Sequence, residues 1–219
     1  MNRRSAATLR SDPLHSMPLP PNKHQLRTEA TRRKLLNSAR RVFAREGFEA
    51  ARIEDIAAGT GFTRGAFYAH FKSKEDVFFA LLEQQVKEHV QNIRALLEPC
   101  SSVEERVEAM RDYYLARIAD RQWVMLVLEY KLFAVRHPNL RAKLAQKHRQ
   151  IRSSLDLDVM PGMLPAKLQA SSEYEQLRTA LEATLSGLVL EHAYDPKRIS
   201  GEQVVSVLRR VFNMLIGCA

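Results

Sequence analysis

The fold is decided by a segment that reads IEDIAAGTGFTRGAFYAHFKSKEDVF and runs from Ile53 to Phe78. Its first apolar residues, Ile53, Ile56 and Ala57, have the i, i+3, i+4 spacing of one helix face, and a Gly-Thr-Gly turn follows them. Gly61 in that turn can adopt the left-handed backbone that a tight connection needs. The pattern therefore predicts a helix of about two turns that ends at this turn.

A second short helix is predicted to begin after Thr63, whose hydroxyl suits an N-cap. Phe67 and Phe71 lie four residues apart and would face inward with Phe62. The opposite face is small and basic, and it includes Gly65, which costs about 1 kcal/mol relative to alanine inside a helix. A major groove about 12 Å wide accepts such a face, so this helix-turn-helix pattern favours DNA binding.

Helical periodicity extends through the rest of the chain, and no segment alternates polar and apolar residues as a strand would. A first helix is predicted from an N-cap at Thr28 or Thr31 to a C-terminal glycine at Gly47. The other predicted helices are Ser73 to Pro99, Val103 to Asp120, Trp123 to Arg136, Pro138 to Met160, Ser171 to Ala193 and Ser200 to Ile216. The sequence thus predicts an all-α protein.

Composition limits the classes of protein that fit. Of the 219 residues, 45% are hydrophobic, which is enough for a sizeable core. The 2 cysteines, Cys100 and Cys218, are too few for a disulfide framework or a cysteine zinc site. No unbroken apolar run exceeds six residues, whereas a membrane-spanning helix needs about 20. We expect a reduced, cytoplasmic chain that binds no metal, cofactor or membrane.

Basic residues are concentrated at the N-terminal end. Residues 1–75 contain 15 Lys and Arg against 7 Asp and Glu, and residues 76–219 contain 19 against 18. This asymmetry favours a polyanion as partner of the N-terminal third, with a solvated basic face as the alternative. Residues 1–27 hold four of the nine prolines, and we expect a flexible basic arm there. An arm that reaches the minor groove and an organellar transit peptide are the other interpretations.

Signatures of catalysis are not found in the sequence. It has no phosphate loop, dinucleotide fingerprint, HExxH helix, nucleophile elbow or paired-carboxylate pattern. We therefore predict no catalytic residues. A helical small-molecule-binding enzyme and a nonspecific nucleic-acid-binding protein remain the alternatives to a sequence-specific regulator.

The segment from Ile53 to Phe78 closely resembles the DNA-binding signature of the tetracycline-repressor (TetR) family of bacterial transcriptional regulators. The DIA element, the glycine turn and the GxxYxHFxSKE segment occur together at the family's spacing, and Gly47-Phe48 fits the end of its first helix. The resemblance covers residues 31–80. A second stretch, LEYKLFAVRHPNLRAKL from Leu128 to Leu144, resembles one that is common in the family's regulatory domains.

The resemblance implies a domain order and a function. After the basic arm at residues 1–27, a three-helix helix-turn-helix DNA-binding domain occupies residues 28–76. A helical ligand-binding and dimerisation domain occupies residues 77–219. Such a regulator binds a near-palindromic operator as a homodimer, most often as a repressor, and a small, largely apolar effector releases it. The implied partners are double-stranded DNA, a second copy of the chain and an unidentified effector.

The resemblance also implies which residues contact DNA. Arg64, Gly65 and Ala66 fall where base edges are met, and Arg64 is the one long donor able to reach guanine O6 and N7. Position 52 usually holds a capping Ser or Thr, so Arg52 predicts a weaker cap and a charge contact to phosphate. The remaining expected contacts are Thr63, Tyr68, His70, Lys72 and Lys74. Surface packing is the alternative role of Tyr68, and a bridge to the next helix is that of His70.

Two further sets belong to the C-terminal domain. Aromatic and sulfur side chains concentrate where the resemblance implies an effector pocket, with ordinary core packing as the alternative role. The expected pocket residues are His89, Met110, Tyr113, Tyr114, Trp123, Val127, Glu129 and Phe133. A four-helix bundle between two copies would use Leu177, Leu181, Leu185, Leu188, Val204, Leu208, Val211 and Phe212. Such a dimer would set its recognition helices about 34 Å apart.

Overall fold

The computed structural model describes residues 22–156 and 171–216. Residues 1–21 of the predicted arm, the predicted helix end at Met160 and Cys218 lie outside those ranges. Within them the chain forms nine α-helices, a 3-10 turn and no strand, so the predicted all-α fold is confirmed. Across the same ranges, no helix combines the length and apolarity needed to span a membrane.

The helix bounds agree closely with the predicted segments. The N-terminal helices are α1 (Lys23–Ala50), α2 (Ile53–Ala58), α3 (Arg64–Tyr68) and α4 (Lys74–Leu97). The remaining elements are α5 (Val103–Ala116), the 3-10 turn (Arg117–Ala119), α6 (Arg121–Arg136), α7 (Pro138–Asp156), α8 (Ser171–Tyr194) and α9 (Gly201–Ile216). The predicted fifth helix to Asp120 thus divides into α5 and the 3-10 turn.

The start of α1 differs from the prediction. The helix begins at Lys23, because Asn22 and Gln25 form a capping box in which each side chain accepts the other residue's backbone N–H at 2.8 Å. Thr28 and Thr31, the predicted N-caps, lie inside the helix. The last residues assigned to the flexible arm are therefore helical.

An aromatic core joins the first helices to α6. The ring of Phe48 is fully buried and lies 5.1 to 5.7 Å from the rings of Phe43, Phe78, Tyr130 and Phe133. These residues come from α1, α4 and α6, and edge-on ring contacts of this kind add to the free energy gained by burial. The helix-turn-helix therefore rests on a core that it shares with α6.

Two smaller apolar clusters hold the C-terminal helices together. Val107 of α5 packs with Leu181 of α8 and Phe212 of α9. Val124 of α6 packs with a second buried set from α8 and α9. Helices α5, α6, α8 and α9 thus bury their apolar faces against one another within a single chain.

Candidate DNA interface and ligand cavity

The turn between α2 and α3 has the geometry that the glycine pattern predicts. Gly61 has a φ of +75°, and the backbone N–H of Phe62 donates to the Ala57 carbonyl at 3.1 Å to close the turn. The Thr63 hydroxyl accepts the Ala66 N–H at 3.2 Å, so the predicted N-cap of α3 is present. These contacts fix where α3 begins and which way it faces.

The two sides of α3 differ in exposure. Phe67 is fully buried and anchors the helix, whereas the opposite side carries most of the predicted DNA contacts. Exposed on that side are Thr63, Arg64, Gly65, Tyr68 and Lys72, while Ala66 and His70 are half-buried. Arg52 is exposed at the N-cap of α2 and makes no side-chain cap hydrogen bond, as its residue type predicts. The result is a small basic surface backed by an aromatic anchor.

Arg64 is held by contacts within the protein. Its guanidinium lies 2.8 Å from the Glu54 carboxylate, 3.4 Å from the Tyr68 hydroxyl and 5.6 Å from the centre of the Tyr68 ring. The Tyr68 hydrogen bond and the Glu54 charge raise the pKa of Arg64, so the side chain keeps its charge. Because Arg64 and Glu54 are both exposed, a base edge can replace the carboxylate.

Lys74 differs from the other predicted phosphate contacts. Its ammonium donates to the Glu49 carbonyl near the end of α1 and lies 5.1 Å from the centre of the Phe48 ring. The side chain joins α4 to α1 because an unpaired carbonyl at a helix end attracts a cation. Lys74 thus has a role in the fold, and its contact with phosphate stays a prediction.

One cation beside α3 was missed from the sequence. The Arg32 guanidinium of α1 lies 5.2 Å from the centre of the Phe71 ring, just beyond α3. No local sequence pattern predicts this contact, since Arg32 and Phe71 are far apart in the chain. Only the tertiary fold brings them together.

A cavity of about 120 Å³ lies among α4, α5, α6, α7 and α8. Four predicted effector residues line it: His89, Tyr114, Trp123 and Val127. Three cationic side chains also line it: Arg117, Lys131 and Arg178. Within the described ranges, Glu182 is the single acidic residue on its wall. The cavity wall therefore combines apolar and cationic side chains.

His89 connects two polar residues of the cavity region. Its Nδ1 lies 2.8 Å from the Tyr113 hydroxyl and 3.1 Å from a guanidinium nitrogen of Arg117. Because a guanidinium has only donors, Nδ1 of His89 accepts from Arg117. The imidazole thus orients Arg117 beside the cavity.

The other four predicted effector residues lie outside the cavity wall. Met110 packs against the α5–α8–α9 cluster, and the Tyr113 hydroxyl is hydrogen-bonded to His89. Phe133 belongs to the aromatic core, and Glu129 accepts the Phe48 N–H at 2.7 Å. Glu129 and Phe133, four residues apart, share the face of α6 that meets α1 and have structural roles there. Their contact with an effector stays a prediction.

The predicted dimer residues are used within the chain. Five of the eight, Leu181, Leu185, Val204, Leu208 and Phe212, are buried in the monomer. The other three, Leu177, Leu188 and Val211, are half-buried against the same clusters. Helices α5 and α6 cover much of the apolar surface of α8 and α9. A role of these eight residues in a dimer stays a prediction. The large apolar side chains exposed on α8 and α9 are instead Leu190, Tyr194 and Met214.

Comparison with known sequences gives two family matches and several relatives. Residues 35–81 match the family model described as bacterial regulatory proteins of the tetR family, and residues 103–217 match the C-terminal domain of BetI-type transcriptional repressors. The regulator UidR of Escherichia coli K12 is 29% identical over 127 residues, which are 58% of this chain and 63% of UidR. The repressor AcnR of Corynebacterium glutamicum is 27% identical over 159 residues, 73% of this chain and 80% of AcnR. The chain thus spans less than two thirds of UidR.

Solved structures share the fold. The regulator FadR from Bacillus subtilis, in complex with stearoyl-CoA, has a TM-score of 0.62 at 18% identity and covers 85% of this chain and 98% of its own. Salmonella enterica GusR has a TM-score of 0.60 at 22% identity and covers 86% and 96%. The C-terminal family model spans more than half of the chain, and the N-terminal model spans the helix-turn-helix. The chain therefore belongs to the TetR family of bacterial transcriptional regulators.

Proposed function

We propose that the protein is a cytoplasmic, ligand-responsive repressor that binds a near-palindromic operator as a homodimer and leaves it when a small effector occupies the cavity. The observation that carries this proposal is the exposed basic side of α3, capped at Thr63 and anchored by the buried Phe67. A helix with that arrangement can enter a major groove while its aromatic side stays in the protein. The name of AcnR, a transcriptional repressor, supports repression as the outcome.

Individual contacts to DNA follow from charge and exposure. Arg64, Gly65 and Ala66 would meet base edges, because they lie in the first turn of α3. The phosphate contacts would come from Arg52, Thr63, Tyr68, His70, Lys72 and Lys74. Arg32 would add a cation beside the end of α3.

Release would pass through α4 and α6. Leu82, Val86 and His89 of α4 line the cavity, and the same helix begins at Lys74, six residues after α3 ends. A ligand that separates α4 from α6 would therefore shift α3 relative to α3 of the second subunit. The dimer would then favour a helix spacing that no longer fits the operator. The stearoyl-CoA bound to FadR supports a ligand site in this fold.

The homodimer would form through the exposed side of α8 and α9. Tyr194 and Met214 are 85% and 74% exposed, and Leu190 of α8 is exposed as well. Apolar side chains of this size favour burial against a partner. A two-fold axis there would pair two recognition helices on one side of the dimer.

Selection of bound sequences from random DNA tests the proposal. We expect a near-palindrome whose half-sites are about 10 base pairs apart from centre to centre. Fluorescence anisotropy should then give an affinity for this operator at least about 10³ times that for scrambled DNA, with both falling steeply as salt rises. Equal affinity for all sequences would identify a nonspecific nucleic-acid-binding protein instead.

A further inference from the structure

We infer that the effector is a small organic anion: a carboxylate on an apolar body about the size of one aromatic ring, with its charge at Arg117. This inference rests on the proposed function, since it names the ligand of the same cavity. It is based on the charge, burial and contacts of the residues that line the cavity.

The cavity wall has an excess of positive charge that comes from separate elements. Arg117 lies on the 3-10 turn, Lys131 on α6 and Arg178 on α8. Among the described residues of the wall, Glu182 is the single acid. Arg178 already has a carboxylate partner, since it pairs with Glu175 at 2.7 Å. The charge of the wall therefore favours an anion over a neutral or cationic ligand.

Arg117 is the cation best placed to receive that anion. It is half-buried, and in the described part of the chain no carboxylate lies within ion-pair distance of it. The Arg117 guanidinium donates to Nδ1 of His89 at 3.1 Å. This contact fixes the position of the guanidinium but supplies no negative charge. A half-buried cation gains most from an ionised acceptor, and guanidinium binds a carboxylate with two parallel hydrogen bonds.

The apolar residues of the wall limit the body of the ligand. Leu82, Val86, Val127 and Leu185 line the cavity with the buried Trp123. The volume is about 120 Å³, while an engineered apolar cavity of about 150 Å³ holds benzene. One ring or a chain of about six carbons therefore fits beside Arg117. A long acyl thioester of the kind bound to FadR would have to extend beyond this volume.

Calorimetric titration of the full chain without DNA tests the ligand class. Benzoate, phenylacetate and hexanoate are the acid probes, benzamide and benzylamine are the neutral and cationic controls, and stearoyl-CoA is the large probe. We expect at least one acid to bind at least tenfold more tightly than both controls and stearoyl-CoA. Equal binding of benzamide or benzylamine, tighter binding of stearoyl-CoA, or no binding by any acid would overturn the inference.

Variants test the position of the charge. Arg117→Gln should weaken the bound acid at least tenfold, and Arg117→Lys should weaken it less. Arg198→Gln is the matched control, because Arg198 is an exposed arginine that pairs with Glu191 at 3.1 Å and is not a cavity residue. Helical circular dichroism and operator affinity show that each variant is folded. Wild-type acid affinity in a folded Arg117→Gln variant would contradict the inference.

Operator release is measured separately, so that the two proposals can fail independently. If an acid binds through Arg117 and leaves the operator complex intact, the ligand class holds and ligand-dependent release fails. If only neutral compounds release the operator, release holds and the anionic class fails.

Discussion

The backbone N–H of Phe48 donates a 2.7 Å hydrogen bond to the Glu129 carboxylate, 81 residues further along the chain. Phe48 lies in the turn-like end of α1, just after Gly47, and Glu129 lies on α6. Val127 and Lys131, two residues to either side of Glu129, line the cavity. This hydrogen bond thus ties the DNA-binding helices to a helix of the ligand cavity.

Removing the acceptor carboxylate of Glu129 should lower the stability of the fold. Glu129→Ala leaves the part-buried Phe48 N–H without a partner, which lowers the free energy of unfolding by about 1 to 3 kcal/mol. Glu129→Gln keeps an acceptor oxygen and should cost less. Urea denaturation measures the effect, and Glu191→Ala, which removes an exposed ion pair, should change stability by less than about 1 kcal/mol. Equal stability of Glu129→Ala and wild type would contradict the structural role.

Gly47 is required by the same joint. Its φ is +77°, and a Cβ built on it would lie 2.7 Å from a carboxylate oxygen of Glu129. Gly47→Ala should therefore lower the free energy of unfolding by at least about 1 to 2 kcal/mol through its left-handed backbone alone. Gly187→Ala is the matched control, since no atom lies within 4 Å of a Cβ there and α8 is helical. The control should gain about 0.5 to 1 kcal/mol, and a loss in both variants would count against the argument.

Tyr130 offers a test in alkaline solution. Its hydroxyl is buried and makes no hydrogen bond to the residues that the structure describes. Burial, together with the charge of Glu75, raises the pKa of Tyr130 above its ordinary value. The folded chain keeps the phenol proton where the unfolded chain loses it, so stability falls as the pH rises above about 10. Tyr130→Phe should reduce this alkaline loss and preserve stability at neutral pH. Tyr194→Phe, at an 85% exposed residue, should behave as wild type in the same urea titrations.

Glu54 competes with DNA for Arg64. Glu54→Gln removes the 2.8 Å ion pair and one negative charge beside α3, so both operator and scrambled DNA should bind more tightly. Glu191→Gln removes an exposed ion pair with Arg198 away from α3 and should leave both affinities unchanged. Anisotropy titrations at one salt concentration measure the change. Weaker operator binding by Glu54→Gln would show that the carboxylate itself contributes to recognition.

Local features of this fold could be predicted from the sequence, because their signals lie within a few residues. The left-handed glycines Gly47 and Gly61 and the cap at Thr63 follow from residue type and position. The capping box of Asn22 and Gln25 is also a local feature, but Thr28 and Thr31 are also suitable residues for an N-cap. The start of α1 was misassigned for that reason.

Long-range partners could not be predicted in the same way. The periodicity of α6 shows which residues share a face, but not that Glu129 and Phe133 meet α1 while Trp123 and Val127 meet the cavity. The apolar surplus of α8 and α9 likewise does not distinguish a second copy from α5 and α6. The contact between Arg117 and His89 joins residues 28 positions apart, so the sequence alone does not place this cation beside the cavity.

The claim that α3 reads the operator is tested most directly by Arg64→Ala. Its affinity should be measured for the selected operator and for operators changed at each base pair. We expect loss of discrimination, by about tenfold to a hundredfold, at one base pair of each half-site, with selectivity kept elsewhere. Unchanged affinity and unchanged selectivity at every position would contradict the account.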